Sequence, residues 1–266
     1  MAKGMRVWKA GDNLDESIGF KFRVTDADEL VKAAAENFVE EQARAWRDVR
    51  QWADDQMELI EVEPGGSPNG PGASLSLTEN LRTELPKLWV RHNIRSVLDV
   101  ACGDLNWMRH VDFTDLTAPE HTRPFNYFGW DIDPELIVRA QQRAGEMKGN
   151  PHTWFEMHNI LDTPFLNVDC ILARHILIHL PNDYISAVLD EMRHSHAKYL
   201  LASNFPDETN DFIYDPTRYA WIGYMEHPVN LEAPPFNLTT KIDAIPETPG
   251  PAGVLTARHE LALFKL

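Results

Sequence analysis

The sequence predicts an α/β protein: a doubly wound, mostly parallel sheet with an antiparallel C-terminal strand and an N-terminal helical extension. Three observations predict it. Beyond Ile94, short apolar runs alternate with amphipathic helical segments, the pattern of βαβ units joined by right-handed crossovers. Before that point one long helical stripe dominates. A Gly/Pro-rich segment, EPGGSPNGPGAS, separates the two regions and forbids a helix or a central strand. With 266 residues, 43% hydrophobic and 25% charged, the chain has material for one large domain with an appendage.

The elements follow in order. Residues 1–62 form the extension. Thr25 and Asp28 resemble a capping box with Asp in place of Glu, and Val31, Ala35, Phe38, Ala45, Val49 and Trp52 give one apolar stripe, suited to a packing helix or to a lid. Residues 63–74 are the linker, and 75–266 the main domain. There Ser76 and Glu79 form a second capping box before Leu77, Leu81, Leu85, Leu88 and Trp89. Strands are expected at 96–101, 126–132, 153–160, 168–173 and 198–205. Helices are expected at 134–144 and 181–194, the latter with Pro181 in its first turn. In the tail only 253–266 is strongly strand-forming.

Composition excludes several classes. With 41 acidic against 25 basic residues and a net charge of −16, the chain lacks the basic surplus that holds long nucleic acid. Its two cysteines, Cys102 and Cys170, cannot build a disulfide framework or a four-thiolate zinc site, which points to a reducing compartment. No stretch approaches the roughly 20 apolar residues of a spanning helix, and no apolar run follows the basic residues at the N-terminus. A cytoplasmic protein without membrane partners is expected.

In an open parallel sheet, ligands bind beyond the carboxyl ends of the strands, where strand order reverses. The residues placed there are Ala101–Asp104, Asp131, Asn159 and Ile160, Arg174 and His175, and Ser203 and Asn204. The turn Asp99-Val-Ala-Cys-Gly-Asp-Leu-Asn-Trp-Met108 resembles the first motif of class I (Rossmann-like) methyltransferases, which use S-adenosylmethionine (AdoMet). It keeps Asp99, Ala101 and Gly103, and has Leu105 where many relatives carry another glycine. The longer run GPGASLSLTENLRTELPKLWVRHNIRSVLDVACGDLNWM, with CILARHILIHLP, KYLLASNFPDETN and VNLEAPPFNL, is similar to a bacterial and viral AdoMet-dependent group with a Cys-Gly-Asp-Phe-Asn-Trp-Met core.

The resemblance implies cofactor contacts at Asp99, Ala101, Cys102, Gly103, Asp131, Ile132, Asn159, Ile160 and Arg174. Asp99 would orient the methionine amino group. Asp131, at the end of the second strand, would accept from the ribose hydroxyls, with Asp133 as an alternative. Asn159 and Ile160 would meet the adenine edge, Asn159 standing where Asp is usual and Asp162 as an alternative. The related group carries an acid after the fourth-strand arginine; here that position is His175. Trp107 is either core or a wall of the pocket.

AdoMet brings an activated methyl, so the protein must align the acceptor and exclude water. A hydroxyl acceptor also loses a proton, for which His175 is the expected base. Asp104 is the alternative base or a cofactor contact, and Arg174 the cation that orients the acceptor. Ala233-Pro-Pro-Phe236 resembles the motif by which amino methyltransferases grip an amine, but it follows the fifth strand rather than the fourth and reads as a rigid loop. His175, His179, His194 and His196 lack the spacing of a zinc site, so no metal is expected.

The expected activity is O-methylation of a polar small molecule or glycan. A nucleic-acid or nucleotide methyltransferase would need a basic strip with exposed aromatics near Arg174, Arg218, Tyr219 and Trp221. A noncatalytic AdoMet-binding protein would tolerate loss of His175. A nicotinamide dehydrogenase is disfavoured, because one glycine with Asp104 beside it makes a poor pyrophosphate turn.

Overall fold

The computed structural model describes residues 69–161, 164–211, 226–250 and 253–266, together with the two-residue segments Met5–Arg6 and Arg23–Val24, which pair antiparallel. The expected N-terminal stripe, Asp162, Arg218, Tyr219 and Trp221 lie outside the described residues.

Seven strands form one sheet: β1 Ser96–Asp99, β2 Asn126–Asp131, β3 His152–Met157, β4 Cys170–Ala173, β5 Tyr199–Asn204, β6 Lys241–Pro246 and β7 Glu260–Lys265. Their order is β3-β2-β1-β4-β5-β7-β6. β1 to β5 are parallel, and β7 runs antiparallel to both β5 and β6. The chain therefore winds outward from β1 in one direction to β3, then returns to β4 and winds the other way. The reversal opens a crevice between the tips of β1 and β4.

Alternation along each strand sorts the core into two layers. Leu98, Ile171, Leu200, Ala262 and Phe264 face one side, where Ile185, Val188, Leu189 and Met192 of helix α3 (Asn182–His194) cover them. Val97, Leu172, Leu201 and Leu263 face the other, under α1 (Glu79–Arg91) and α2 (Pro134–Arg143). Both faces of the central strands are thus buried, which explains their unbroken apolar runs.

Several local expectations change. Thr78, not Ser76, stands at the N-cap of α1, and its hydroxyl donates to Ser74 O at 2.8 Å without accepting an N–H of the helix start. Pro181 caps α3 instead of entering its first turn. The tail begins as a 3-10 turn at Gly253–Thr256 before β7. β6 was not foreseen: it is an edge strand broken by Asp243 and closed by Pro246, with a register irregularity between Lys241 and Asp243, so it has no clean period-2 signal. The Pro-Pro loop follows β5 and is tied down at both ends. Asn210 Nδ2 donates to Pro234 O at 2.8 Å, and Phe236 is buried in the core. Among the described residues no helix is long and apolar enough to cross a membrane.

Candidate active site

The tips of β1 and β2 hold two carboxylates, Asp99 buried and Asp131 part-buried, on either side of a tight bend. Asp99 ends β1 and accepts the Tyr127 hydroxyl at 2.5 Å. Burial pushes its carboxyl up to about 6, with the Asp131 charge adding to the rise, while Tyr127 and the Ala101 N–H oppose it. Asp131 ends β2; its Oδ2 accepts the Gly103 N–H at 2.9 Å, and its Oδ1 accepts the Asp133 N–H at 3.0 Å. Burial raises its pKa as well, against the N–H donors of Asp133, Gly103 and Ile132. Asp133 is committed elsewhere, as the cap of α2 through Glu135 N.

The bend between them needs left-handed backbone. Gly103 has φ 55°, and Leu105, at the position where the resemblance expects glycine, keeps φ 60° although it is fully buried. That conformation costs a leucine on the order of 1 kcal/mol. Cys102 packs beneath the turn, its thiol held protonated by burial and by Asp99. The same thiol explains Gly129: a Cβ there would lie 2.8 Å from Cys102 Sγ and 2.6 Å from Phe155 Cδ1. After β3, Asn159 and Ile160 are buried, and the Asn159 side-chain oxygen accepts the Leu161 N–H at 3.0 Å.

The tip of β4 carries the other half of the site. Arg174 donates through Nε and Nη2 to Glu247 Oε2 at 2.9 and 2.6 Å, and through Nη2 to Gly72 O at 2.9 Å. Its guanidinium lies over the Trp107 ring, 5.3 Å from the centroid. Trp107 is therefore both a core residue and a platform. His175 sits at φ 55°, with its N–H on Ser203 Oγ at 3.0 Å and its Nε2 3.7 Å from Glu247 Oε2. Burial, then the charges of Arg174 and neighbouring histidines, drive its pKa well below the ordinary imidazole value. Such an imidazole stays neutral and offers a lone pair.

Residues 97–198, from β1 to the residue before β5, match the family model for a methyltransferase domain. The chain carries a methyltransferase domain. No curated protein matches the chain in sequence. Among solved structures it is similar to magnesium protoporphyrin IX methyltransferase from Synechocystis PCC 6803 with bound SAM, at 15% identity over 71% of this chain and 80% of that one, TM-score 0.46. A SAM-dependent methyltransferase from Methanosarcina mazei is also similar, at 15% identity over 66% of this chain and 96% of that one, TM-score 0.46. So is an O-methyltransferase family protein from Burkholderia thailandensis, at 14% identity over 73% of this chain and 57% of that one, TM-score 0.49.

Within the methyltransferase domain, Asp104 departs from its expected role. It is fully buried, paired with Arg143, accepts Asn69 Nδ2 at 2.7 Å and accepts the Asn106 N–H at 3.0 Å. Those bonds make it a scaffold of the bend rather than a base. The described end of the expected linker is also more than a linker. Asn69 reaches Asp104, Asn106 Nδ2 donates to Ala73 O at 3.0 Å, and Gly72 lies against His175, where a Cβ would come 2.7 Å from Nδ1. The segment thus covers the domain's crevice, joining the β1 bend to the β4 tip. Glu247 and His259 were missed altogether. Glu247 N donates to His259 O at 3.1 Å, which extends the β6–β7 ladder by one pair and sets Glu247 beside Arg174 and His175 and the His259 ring beside that of His175. Only the pairing of two strands distant in sequence from β4 brings them there.

Proposed function

We propose that the chain is an AdoMet-dependent O-methyltransferase acting on a polar small molecule or glycan. One observation carries the cofactor reading: the buried carboxylate of Asp99 and the part-buried one of Asp131 flank the Gly103 bend at the switch point. Their mutual repulsion is relieved by a cation, and AdoMet brings a sulfonium and an ammonium group. A dinucleotide would instead set its pyrophosphate against the same negative field. In this reading Asp131 holds the ribose, Asp99 draws the methionine ammonium, Ala101, Cys102 and Gly103 give the backbone close approach, Ile132 borders the ribose, and Asn159 and Ile160 meet the adenine edge. AdoMet supplies the activated methyl; the chain orients it and keeps water out.

On the acceptor side, Arg174, held by Glu247 and stacked over Trp107, orients a polar acceptor. His175 borders the same space. The absence of an amine-gripping Pro-Pro motif after β4, together with the net charge of −16, supports a hydroxyl acceptor over an amine or a nucleic acid. Labelled-methyl transfer, screened across polar hydroxyl compounds, glycans, amines and oligonucleotides, tests it. Label should enter hydroxyl acceptors, and Arg174→Gln should lower turnover with AdoMet affinity nearly kept. Label confined to amines or oligonucleotides would overturn the acceptor class.

A further inference from the structure

We propose that His175, Glu247 and His259 bind a divalent transition-metal ion of the zinc class. The three residues come from the β4 tip, the end of β6 and the start of β7, and one donor atom from each lies within 4.8 Å of the others. Two imidazoles and one carboxylate form a donor set suited to zinc and its neighbours. Bonds of about 2.0–2.1 Å in a tetrahedron set donors about 3.3 Å apart, so the donors close by up to about 1.5 Å on binding. His175 Nε2 and His259 Nε2 stand 3.7 and 3.9 Å from Glu247 Oε2, the oxygen that Arg174 holds, which sets both rings against the carboxylate whose other oxygen, Oε1, is open.

The polar atoms around the cluster are arranged as metal ligands need. His175 Nε2 and Glu247 Oε1 are buried without a hydrogen-bond partner among the described residues, an arrangement that ordinarily costs about 1–3 kcal/mol for each group. His259 Nδ1 lies 2.9 Å from Ala257 O. A carbonyl only accepts, so the proton sits on Nδ1 and the lone pair on Nε2, the tautomer of a ligating histidine. Arg174 engages only Oε2 of Glu247. A carboxylate that ligates through one oxygen and accepts through the other is a familiar outer-shell pattern, and its charge, with Arg174 held on the far oxygen, offsets part of the ion's.

Metal binding stands apart from the methyl-transfer reading; only its use, lowering the pKa of a bound hydroxyl acceptor, rests on that reading. The test uses the full chain, stripped with EDTA, reloaded with Zn2+ and dialysed, followed by metal analysis and by Co2+ titration read from visible absorption. One ion per chain is expected. His259→Ala, Glu247→Gln and His175→Asn should each weaken Co2+ binding by at least about tenfold, while exposed His194→Ala should not. Asn tolerates the left-handed backbone at 175, and thermal melts in EDTA verify that each variant is folded. No retained ion, or parent-like Co2+ affinity in the folded variants, overturns the proposal. AdoMet titration of the stripped chain separates the two readings: AdoMet binding without any metal uptake removes only the metal site.

Discussion

At the scale of single residues, the carboxylates at the strand tips decide the chemistry, and Asp99 gives them a measurable signature. Its pKa rises from 3.8 to about 6 because burial disfavours the charge. A carboxyl whose folded pKa is raised favours the fold while protonated. That contribution is full below the unfolded value and is lost as pH climbs through about 6. At about 1.4 kcal/mol per unit, ionised Asp99 costs the free protein on the order of 3 kcal/mol at neutral pH. Asp99→Asn should therefore melt higher than the parent at pH 7.5, with the difference fading near pH 4.5. An equal difference at both pH values would contradict this origin. Asp99, Gly103 and Asp131 are legible in the sequence because strand ends and a glycine mark them. The Asp104–Arg143 pair is not, since nothing in the local pattern reveals that α2 aims Arg143 at the bend.

At the scale of elements, the bend, the cover and the crowded strand crossing make their own predictions. Gly129 lies on β2 with Cys102 and Phe155 against it. Gly129→Ala forces one of them to move and should cost about 1–3 kcal/mol of stability by denaturant unfolding. A loss under half a kcal/mol would show that the Phe155 ring yields freely. Removing Arg143 strands a buried carboxylate, so Arg143→Met should destabilise by about 2–4 kcal/mol, less than a fully enclosed pair because Arg143 is partly exposed. If the Arg143→Met, Asp104→Asn double variant is no more stable than the single, Asp104 is not the group left uncompensated. β1, β2, β4 and β5 were readable from their buried apolar runs, and β3, an edge strand of which only Phe155 is buried, from its aromatic and β-branched residues. β6 was not, because an edge strand with Lys241, Asp243 and a terminal proline looks like a loop. The packing of 69–73 over the crevice was hidden for a related reason: a Gly/Pro-rich segment has no periodicity with which to state its partner.

At the scale of the whole molecule, the order β3-β2-β1-β4-β5-β7-β6 creates one crevice, and the tips of β1, β2 and β4 set Asp99, Gly103, Asp131, Arg174 and His175 at that end of the sheet. The parallel half of that order was legible, since strands alternated with helices. The insertion of β7 between β5 and β6 was not, although it brings Glu247 and His259 to the site, because strand pairing at long range leaves no local trace. A ligand that fills this crevice binds only the folded chain. At a hundredfold excess over its Kd, AdoMet should stabilise the fold by about 2.7 kcal/mol.

The most direct measurement is calorimetric titration of the full chain with AdoMet and, separately, with NAD. Saturable 1:1 binding of AdoMet, none of NAD, and at least about a tenfold loss of AdoMet affinity in Asp131→Ala are predicted, one charge-assisted contact being worth about 1.5–3 kcal/mol. NAD binding in place of AdoMet, or an Asp131→Ala variant that binds AdoMet as tightly as the parent, would contradict a sulfonium nucleoside held between the two carboxylates.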